Sequence, residues 1–139
     1  MMWMESLRIL PIVTSLVSRI ASSDIEVDGI TIEAGTIVEI PVWTIHHDPA
    51  IWPEPYKFDP FRFSKDNRDT LDPMSFLSFG VGGRYCLGSH LATAEAKAIV
   101  SAILDRFEVS LLSDEPMKLK WQAELVNPAE PVTLLFTPL

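Results

Sequence analysis

Residues 79–88, with the sequence F-G-V-G-G-R-Y-C-L-G, constrain this chain more than any other stretch. They hold its only cysteine, Cys86, and four of its six glycines, and Arg84 precedes the thiol by two residues. A helical pattern follows at once, and both a helix N-terminus and a nearby cation favour an ionised sulfur. Glycines let the backbone approach a flat ligand closely. The stretch therefore indicates a metal-ligating thiolate, and the alternative is a buried free cysteine in a glycine-rich turn.

The spacing of this stretch is F-x-x-G-x-R-x-C-x-G, which resembles the haem-binding loop of the cytochrome P450 superfamily with every fixed position filled. The resemblance implies that Cys86 is the axial haem iron ligand, as a thiolate. It also implies that Arg84 pairs with a haem propionate and that Phe79 shields the sulfur. The cofactor implied is haem b. The residues expected to bind it are Phe79, Gly80, Gly82, Arg84, Cys86, Gly88 and Ala92.

A carboxylate and a guanidinium stand three residues apart in the sequence Glu5-Ser6-Leu7-Arg8. At this spacing they share one helix face, which by itself is typical of a solvated surface pair. The family, however, has E-x-x-R at this place before a helix-ending proline, and the sequence P-F-R-F at 60–63 resembles its P-E-R-F element, with phenylalanine where glutamate is common. The resemblance therefore implies a structural ion network of Glu5, Arg8 and Arg62. Related members often carry a propionate-binding arginine after this helix, where Ser15 stands here. Arg19 is the nearest alternative, so we expect less complete haem anchoring.

Three histidines could suggest a metal site. Because neighbours on an extended chain point to opposite sides, we expect His46 and His47 to be surface or packing residues. His90 follows Cys86 by four residues, but zinc would need two more ligands. We expect His90 near the haem edge or in solvent. Residues 45–49 and 52–55 resemble a connecting stretch of animal microsomal members, in the branch that includes thromboxane synthase.

Sequence patterns also predict the elements around these motifs. Alternating apolar residues flank Asp28-Gly29, which is a strong hairpin signal. The other predicted elements are a helix over 1–10 ended by Pro11, a strand over 36–42, a turn-rich segment over 44–75, a helix over about 87–107, and strands over 117–125 and 132–137 with a turn at Asn127-Pro128.

Composition excludes several classes of function. The net charge of -8 disfavours nucleic acid as a partner, because phosphate binding needs a basic face. One cysteine excludes an internal disulfide and favours a reducing compartment. The longest apolar run, over 9–17, is too short to span a bilayer.

We expect residues 1–139 to form an incomplete domain, the carboxy-terminal, haem-ligating portion of a mainly α cytochrome P450 fold. Its class is mixed α and β, with the ligand loop, the following helix and small β-sheets. The resemblance implies a monooxygenase for apolar substrates, served by a flavoprotein reductase on the cytoplasmic side of the endoplasmic reticulum. The missing amino-terminal part of the fold is an expected partner. Because no acid–alcohol element for dioxygen activation is found, we expect this chain alone to be inactive. The alternatives are a truncated non-catalytic fragment and a haem-thiolate isomerase that rearranges peroxides.

Overall fold

The computed structural model describes residues 1–15, 17–113, 115, 117–122 and 125–139. Helices and short strands alternate along this part of the chain. The elements are α1 (Met2–Ile9), β1 (Val17–Ile20), β2 (Ile25–Val27), β3 (Ile30–Ile32), β4 (Ile37–Ile40), α2 (Val42–His46), α3 (Lys65–Arg68), α4 (Ser89–Leu104), β5 (Phe107–Leu111), β6 (Leu119–Gln122), β7 (Leu125–Pro128) and β8 (Leu134–Pro138). Single turns of 3-10 helix lie at Pro60–Phe63, Pro73–Ser75 and Gly82–Arg84.

The described strands form two-stranded antiparallel sheets, which pair β1 with β4, β2 with β3, β5 with β8 and β6 with β7. Helices and small sheets in one chain confirm the predicted mixed α and β class. Within the described ranges, no helix has the length and apolar content needed to cross a bilayer.

Helix α1 ends as predicted, just before Pro11. The Leu10 N–H still reaches the Ser6 carbonyl at 2.9 Å, but proline has no N–H and its ring clashes with the preceding turn. The helix buries Glu5, Leu7 and Arg8 on one face. Glu5 and Arg8 therefore lie in the interior and do not form a solvated surface pair.

The Asp28-Gly29 hairpin is also confirmed. Strands β2 and β3 pair in the register Val27↔Ile30, which leaves two residues for the turn. Both turn residues have positive φ, 49° at Asp28 and 78° at Gly29, as the turn type that matches strand twist requires. The hairpin lies between β1 and β4 in the chain, and those two strands pair with each other.

The carboxy-terminal predictions need correction. Helix α4 ends at Leu104, and Phe107 begins strand β5 instead of ending the helix. Its ring packs edge-to-face on Phe136 of β8, with the centroids 5.9 Å apart. The predicted turn at Asn127-Pro128 is wrong as well, because both residues belong to β7. Pro128 is the last residue of that strand, where a missing N–H is tolerated.

The buried apolar core is small and lies mostly between α1 and the segment 42–77. Its buried members are Leu7, Val42, Trp52, Phe63, Leu77 and Val126. Helix α4 is packed on one side only, since Leu91 is 63% exposed and Ile99 is 60% exposed. The tightest packing therefore supports the start of the loop over residues 77–88, called the ligand loop below, rather than the helix α4 that follows it.

Candidate functional site

A loop closed by backbone hydrogen bonds presents Cys86. The Cys86 N–H donates to the Phe79 carbonyl at 2.9 Å, and the Gly80 N–H donates to the Leu77 carbonyl at 2.9 Å. Gly80 and Gly82 have φ values of 74° and 66°, a region that side-chain-bearing residues rarely adopt. The glycines therefore allow the chain to turn back so that Phe79 and Cys86 meet.

The Cys86 sulfur lies just before α4. The Ser89 N–H, at the start of this helix, donates to the Cys86 carbonyl at 3.3 Å. A Cβ added to Gly88 would lie 4.0 Å from the Cys86 Sγ, so the sulfur lies close to the residue that precedes the helix. The thiol is free and exposed. This exposure contradicts the alternative of a buried structural cysteine.

Cys86 lines a cavity with apolar walls and two cationic side chains. Ile12, Val13, Val42 and Leu77 supply apolar surface to this cavity. Arg19 and Arg84 line it as well, and both also line the neighbouring cleft beside β1 and β4. Within the part of the chain that the structure describes, neither guanidinium forms an ion pair with a carboxylate.

The predicted cofactor-binding residues divide between this cavity and its surroundings. Phe79, Gly80, Arg84 and Cys86 line it, whereas Gly82, Gly88 and Ala92 do not. Ala92 is exposed on α4, and its N–H donates to the Gly88 carbonyl at 2.9 Å. A second cavity of similar volume, about 290 Å³ against about 310 Å³, lies near Leu111 and Thr133 and contains none of these residues. Volume alone therefore does not select the site.

The structure brings Glu5, Arg8 and Arg62 together. Glu5 and Arg8 are fully buried and form a bidentate pair, with Nε–Oε2 and Nη2–Oε1 distances of 2.8 Å each. The Arg62 Nε lies 3.5 Å from Glu5 Oε1. The Asp59 N–H also donates to Glu5 Oε1 at 2.9 Å. One carboxylate therefore lies between two guanidiniums, and a backbone donor adds to its hydrogen bonds.

Backbone carbonyls accept further hydrogen bonds from the two arginines. Arg8 Nη1 donates to the His46 carbonyl at 2.8 Å, and its guanidinium carbon lies 5.3 Å from the centre of the Trp52 ring. Arg62 Nη2 donates to the Glu54 carbonyl at 3.0 Å. Glu54 itself has φ of 49°, an uncommon conformation for a residue other than glycine. The network therefore connects α1 to His46, Glu54 and Asp59.

Sequence reasoning missed the role of His46. Its ring is fully buried and lies between the Arg8 carbonyl, 3.1 Å from Nδ1, and the Leu77 N–H, 2.8 Å from Nε2. Burial lowers the pKa of His46 from 6.5 to about 4. Both partners are remote in sequence, at separations of 38 and 31 residues. No local pattern could have indicated them.

The other two histidines have separate surroundings. His47 is buried, donates from Nδ1 to the Trp43 carbonyl at 2.9 Å, and stacks on the Trp43 ring. Burial lowers its pKa too. Both His46 and His47 are packed in the interior and not on the surface. They lie at the end of α2 rather than on an extended chain. His90 is exposed on α4. Among the described residues, no three His, Cys, Asp or Glu side chains converge.

Comparison with known proteins identifies the family. The family model described as Cytochrome P450 matches residues 1–136, so the chain belongs to the cytochrome P450 family. The members of this family are haem-iron monooxygenases, and the family implies a haem cofactor.

Particular relatives give the extent of the match. The chain is 38% identical over 135 residues to cytochrome P450 3A40 of Oryzias latipes and 40% identical over 136 residues to cytochrome P450 3A31 of Mesocricetus auratus. Each alignment covers 96% of this chain and 27% of the relative. The solved structure of retinoic acid bound cyanobacterial CYP120A1 superposes with a TM-score of 0.87 at 29% identity, covering 98% of this chain and 31% of that one. The chain therefore spans about a quarter of the length of the curated relatives it matches.

Proposed function

We propose that residues 1–139 are the carboxy-terminal, haem-ligating portion of a monooxygenase that inserts one oxygen atom from dioxygen into an apolar organic substrate. The cofactor is haem b, and a flavoprotein reductase supplies the electrons. The observation that carries this proposal is the free, exposed sulfur of Cys86 on an apolar cavity lined by two arginines that form no ion pair with a carboxylate of the described residues. When bound, the haem supplies the redox chemistry, and the protein supplies its position and electrostatics.

The residues around Cys86 fit a haem. Its macrocycle is flat and apolar, and its edge carries two carboxylates. The Cys86 sulfur would bind the haem iron, to which a thiolate ligand donates electron density. The apolar side chains of Ile12 and Val13 line the cavity, and Ile12 is 61% exposed, which suits contact with the macrocycle. Half-buried Phe79, whose backbone bonds to Cys86, helps to keep water from the sulfur.

Arg84 and Arg19 would each hold a propionate of a bound haem. Charge-assisted bonds from guanidinium to carboxylate are among the stronger hydrogen bonds in proteins. Arg19 lies on β1, and its Nη1 donates to the Ser18 carbonyl at 2.7 Å, which leaves its other nitrogens free to bind a carboxylate. Two cationic side chains line one cavity, which supports a more complete anchoring of the haem than the sequence alone led us to expect.

The Cys86 assignment is tested in a complete cytochrome P450 that carries residues 1–139. Thiolate ligation gives the reduced carbonyl complex a strongly red-shifted Soret band. Cys86→Ser should abolish this band, and Cys86→His should give a histidine-type spectrum, because imidazole donates less charge than a thiolate. Tyr85→Phe, at the neighbouring exposed position, is the matched control and should keep the band. A red-shifted band that survives Cys86→Ser would refute the assignment.

By itself, the chain is not a working oxygenase in this proposal. The exposed apolar side chains of α4, including Leu91 and Ile99, need a partner surface, and exposed patches of this kind promote association. The experiment is to express residues 1–139, add haem, and measure solubility, the reduced carbonyl spectrum and turnover with a reductase. Soluble protein with a thiolate spectrum and substrate oxidation would contradict this part of the proposal.

A further inference from the structure

One buried imidazole joins α1 to the start of the ligand loop. The Leu77 backbone N–H can only donate and the Arg8 carbonyl can only accept. His46 Nε2 therefore accepts from Leu77 at 2.8 Å, and Nδ1 carries the proton that it donates to Arg8 at 3.1 Å. The partners thus fix both the neutral state and the tautomer of the ring. The Phe76 ring stacks on it at 5.5 Å, almost parallel.

These contacts lie between the ion network and Cys86. Arg8 binds Glu5 through its side chain, offers its carbonyl to the His46 ring, and donates from Nη1 to the His46 carbonyl at 2.8 Å. On the other side of the ring, the Leu77 carbonyl accepts from Gly80, and the Phe79 carbonyl accepts from Cys86. A continuous set of backbone bonds therefore leads from Leu77 to the sulfur-bearing residue.

Protonation of the ring is opposed at Nε2. A second ring proton would point at the Leu77 N–H, where no acceptor exists. The charged or titratable groups that face the ring are Arg8, with its partner Glu5 on α1, and the next residue along the chain, His47. The loop residues Phe76 and Leu77 carry no titratable group. Burial, Arg8 and His47 all lower the pKa of His46, whereas the bond to the Arg8 carbonyl raises it. The uncharged ring is the form that the site accommodates.

We propose that His46 is a positioning residue that fixes the ligand loop relative to the Glu5–Arg8–Arg62 network, so that Cys86 presents its sulfur in the orientation needed for axial ligation. This inference rests on the proposed role of Cys86. The bond to Leu77 carries the effect, because through it the ring is hydrogen-bonded to the backbone of the loop. The bond to Arg8 orients the ring.

Two near-isosteric variants separate these bonds. His46→Gln places an amide oxygen near the position of Nε2 and retains an acceptor for Leu77, whereas His46→Asn places an amide N–H near Nδ1 and retains only the donor to Arg8. Each variant loses one ring hydrogen bond. His47→Gln is the control, because the neighbouring His47 is also buried but its ring bonds the Trp43 carbonyl and not Leu77.

The measurements use a complete cytochrome P450 that carries residues 1–139. The first is amide hydrogen exchange of Leu77, with and without haem. The second is the fraction of reduced carbonyl complex with the thiolate-type Soret band. His46→Asn should raise Leu77 exchange about tenfold, since an unsatisfied buried donor opens more easily, and should lower the thiolate fraction at least twofold. His46→Gln and His47→Gln should stay within about twofold of the parent in exchange and keep the thiolate fraction.

Equal effects of the Asn and Gln variants on either measurement would overturn the proposal, as would an exchange difference without a change in the thiolate fraction. If a variant takes up no haem, the exchange of Leu77 in the apoprotein still decides the structural part. Failure of the Cys86 assignment gives a different result. In that case Cys86→Ser keeps the red-shifted band, while the exchange pattern at Leu77 is unaffected.

Discussion

Replacement of Glu5 by glutamine tests whether the ion network stabilises the fold. The change keeps the size of the side chain and one oxygen acceptor, so no cavity forms and the Asp59 N–H can keep its partner. It removes the charge that lies 2.8 Å from two nitrogens of Arg8 and 3.5 Å from Arg62 Nε. Two guanidiniums then face each other in a site where Glu5 and Arg8 are fully buried and the Arg62 side chain is 12% exposed.

The expected loss of stability follows from this burial. Breaking a buried ion pair by removing one partner costs about 3–5 kcal/mol, because the remaining charge stays desolvated and uncompensated. The Glu54–Lys57 pair has the same i,i+3 spacing, but its side chains are 73% and 58% exposed, and its nitrogen–oxygen distance is 3.3 Å. Surface pairs of this kind contribute about 0–1 kcal/mol. Glu54→Gln is therefore a matched control for Glu5→Gln.

The assay follows urea unfolding of a complete cytochrome P450 that carries residues 1–139, through the thiolate-type Soret band. At equal m-values, the difference in midpoint gives the difference in free energy of unfolding. We expect a loss of about 3–5 kcal/mol for Glu5→Gln, with a low yield of haem-loaded protein, and less than about 1 kcal/mol for Glu54→Gln. Similar midpoints for the two variants would refute the reasoning that burial makes this network stabilising.

Three further outcomes are expected. Arg84→Leu should raise the rate of haem loss about 10- to 100-fold, since a charge-assisted contact contributes about 1.5–3 kcal/mol. The control Arg106→Leu lies outside the cavity and should leave the rate unchanged. Equal rates of haem loss in the two variants would exclude the propionate contact. Glu54→Gly should stabilise the protein by about 0.5–1 kcal/mol in urea unfolding, because φ is 49° there, and a lower midpoint would contradict this. Because the pKa of His46 falls from 6.5 to about 4 on folding, the unfolded chain binds more protons between those values, and about 3 kcal/mol of stability should be lost as pH falls through that window. His46→Gln should flatten this dependence, and an unchanged pH profile of the urea midpoint would show that His46 does not cause it.

Local signals predicted the local structure well. The Asp28-Gly29 turn and the end of α1 at Pro11 follow from the φ preferences and hydrogen-bonding groups of one or two residues, and both were predicted correctly. Phe107 was misassigned because it follows the apolar residues of α4 at helical spacing. Its pairing with β8 depends on residues about 30 positions later, which no local pattern reveals.

The same distinction applies to the candidate site. The ten-residue motif predicted Cys86 and the residues around it as cofactor-binding residues, and Phe79, Gly80 and Arg84 line the cavity together with Cys86. The sequence did not reveal His46, whose partners come from α1 and from the ligand loop. It also left Arg19 as a mere alternative. The pairing of β1 with β4 is a long-range contact, and it forms the sheet on which Arg19 lies. Arg19 and Arg84 line the same cleft beside that sheet.

Pro11 does more than end a helix. In a continuing helix, the Leu7 carbonyl would accept from the N–H of residue 11, but proline has none. The Ser78 hydroxyl takes that place and donates to the Leu7 carbonyl at 3.1 Å, and the next carbonyl, that of Arg8, accepts from His46. The imino acid therefore leaves the Leu7 carbonyl as an acceptor for the segment that leads to Cys86. An ordinary residue at position 11 would make the helix compete with the ligand loop for the same oxygen atom.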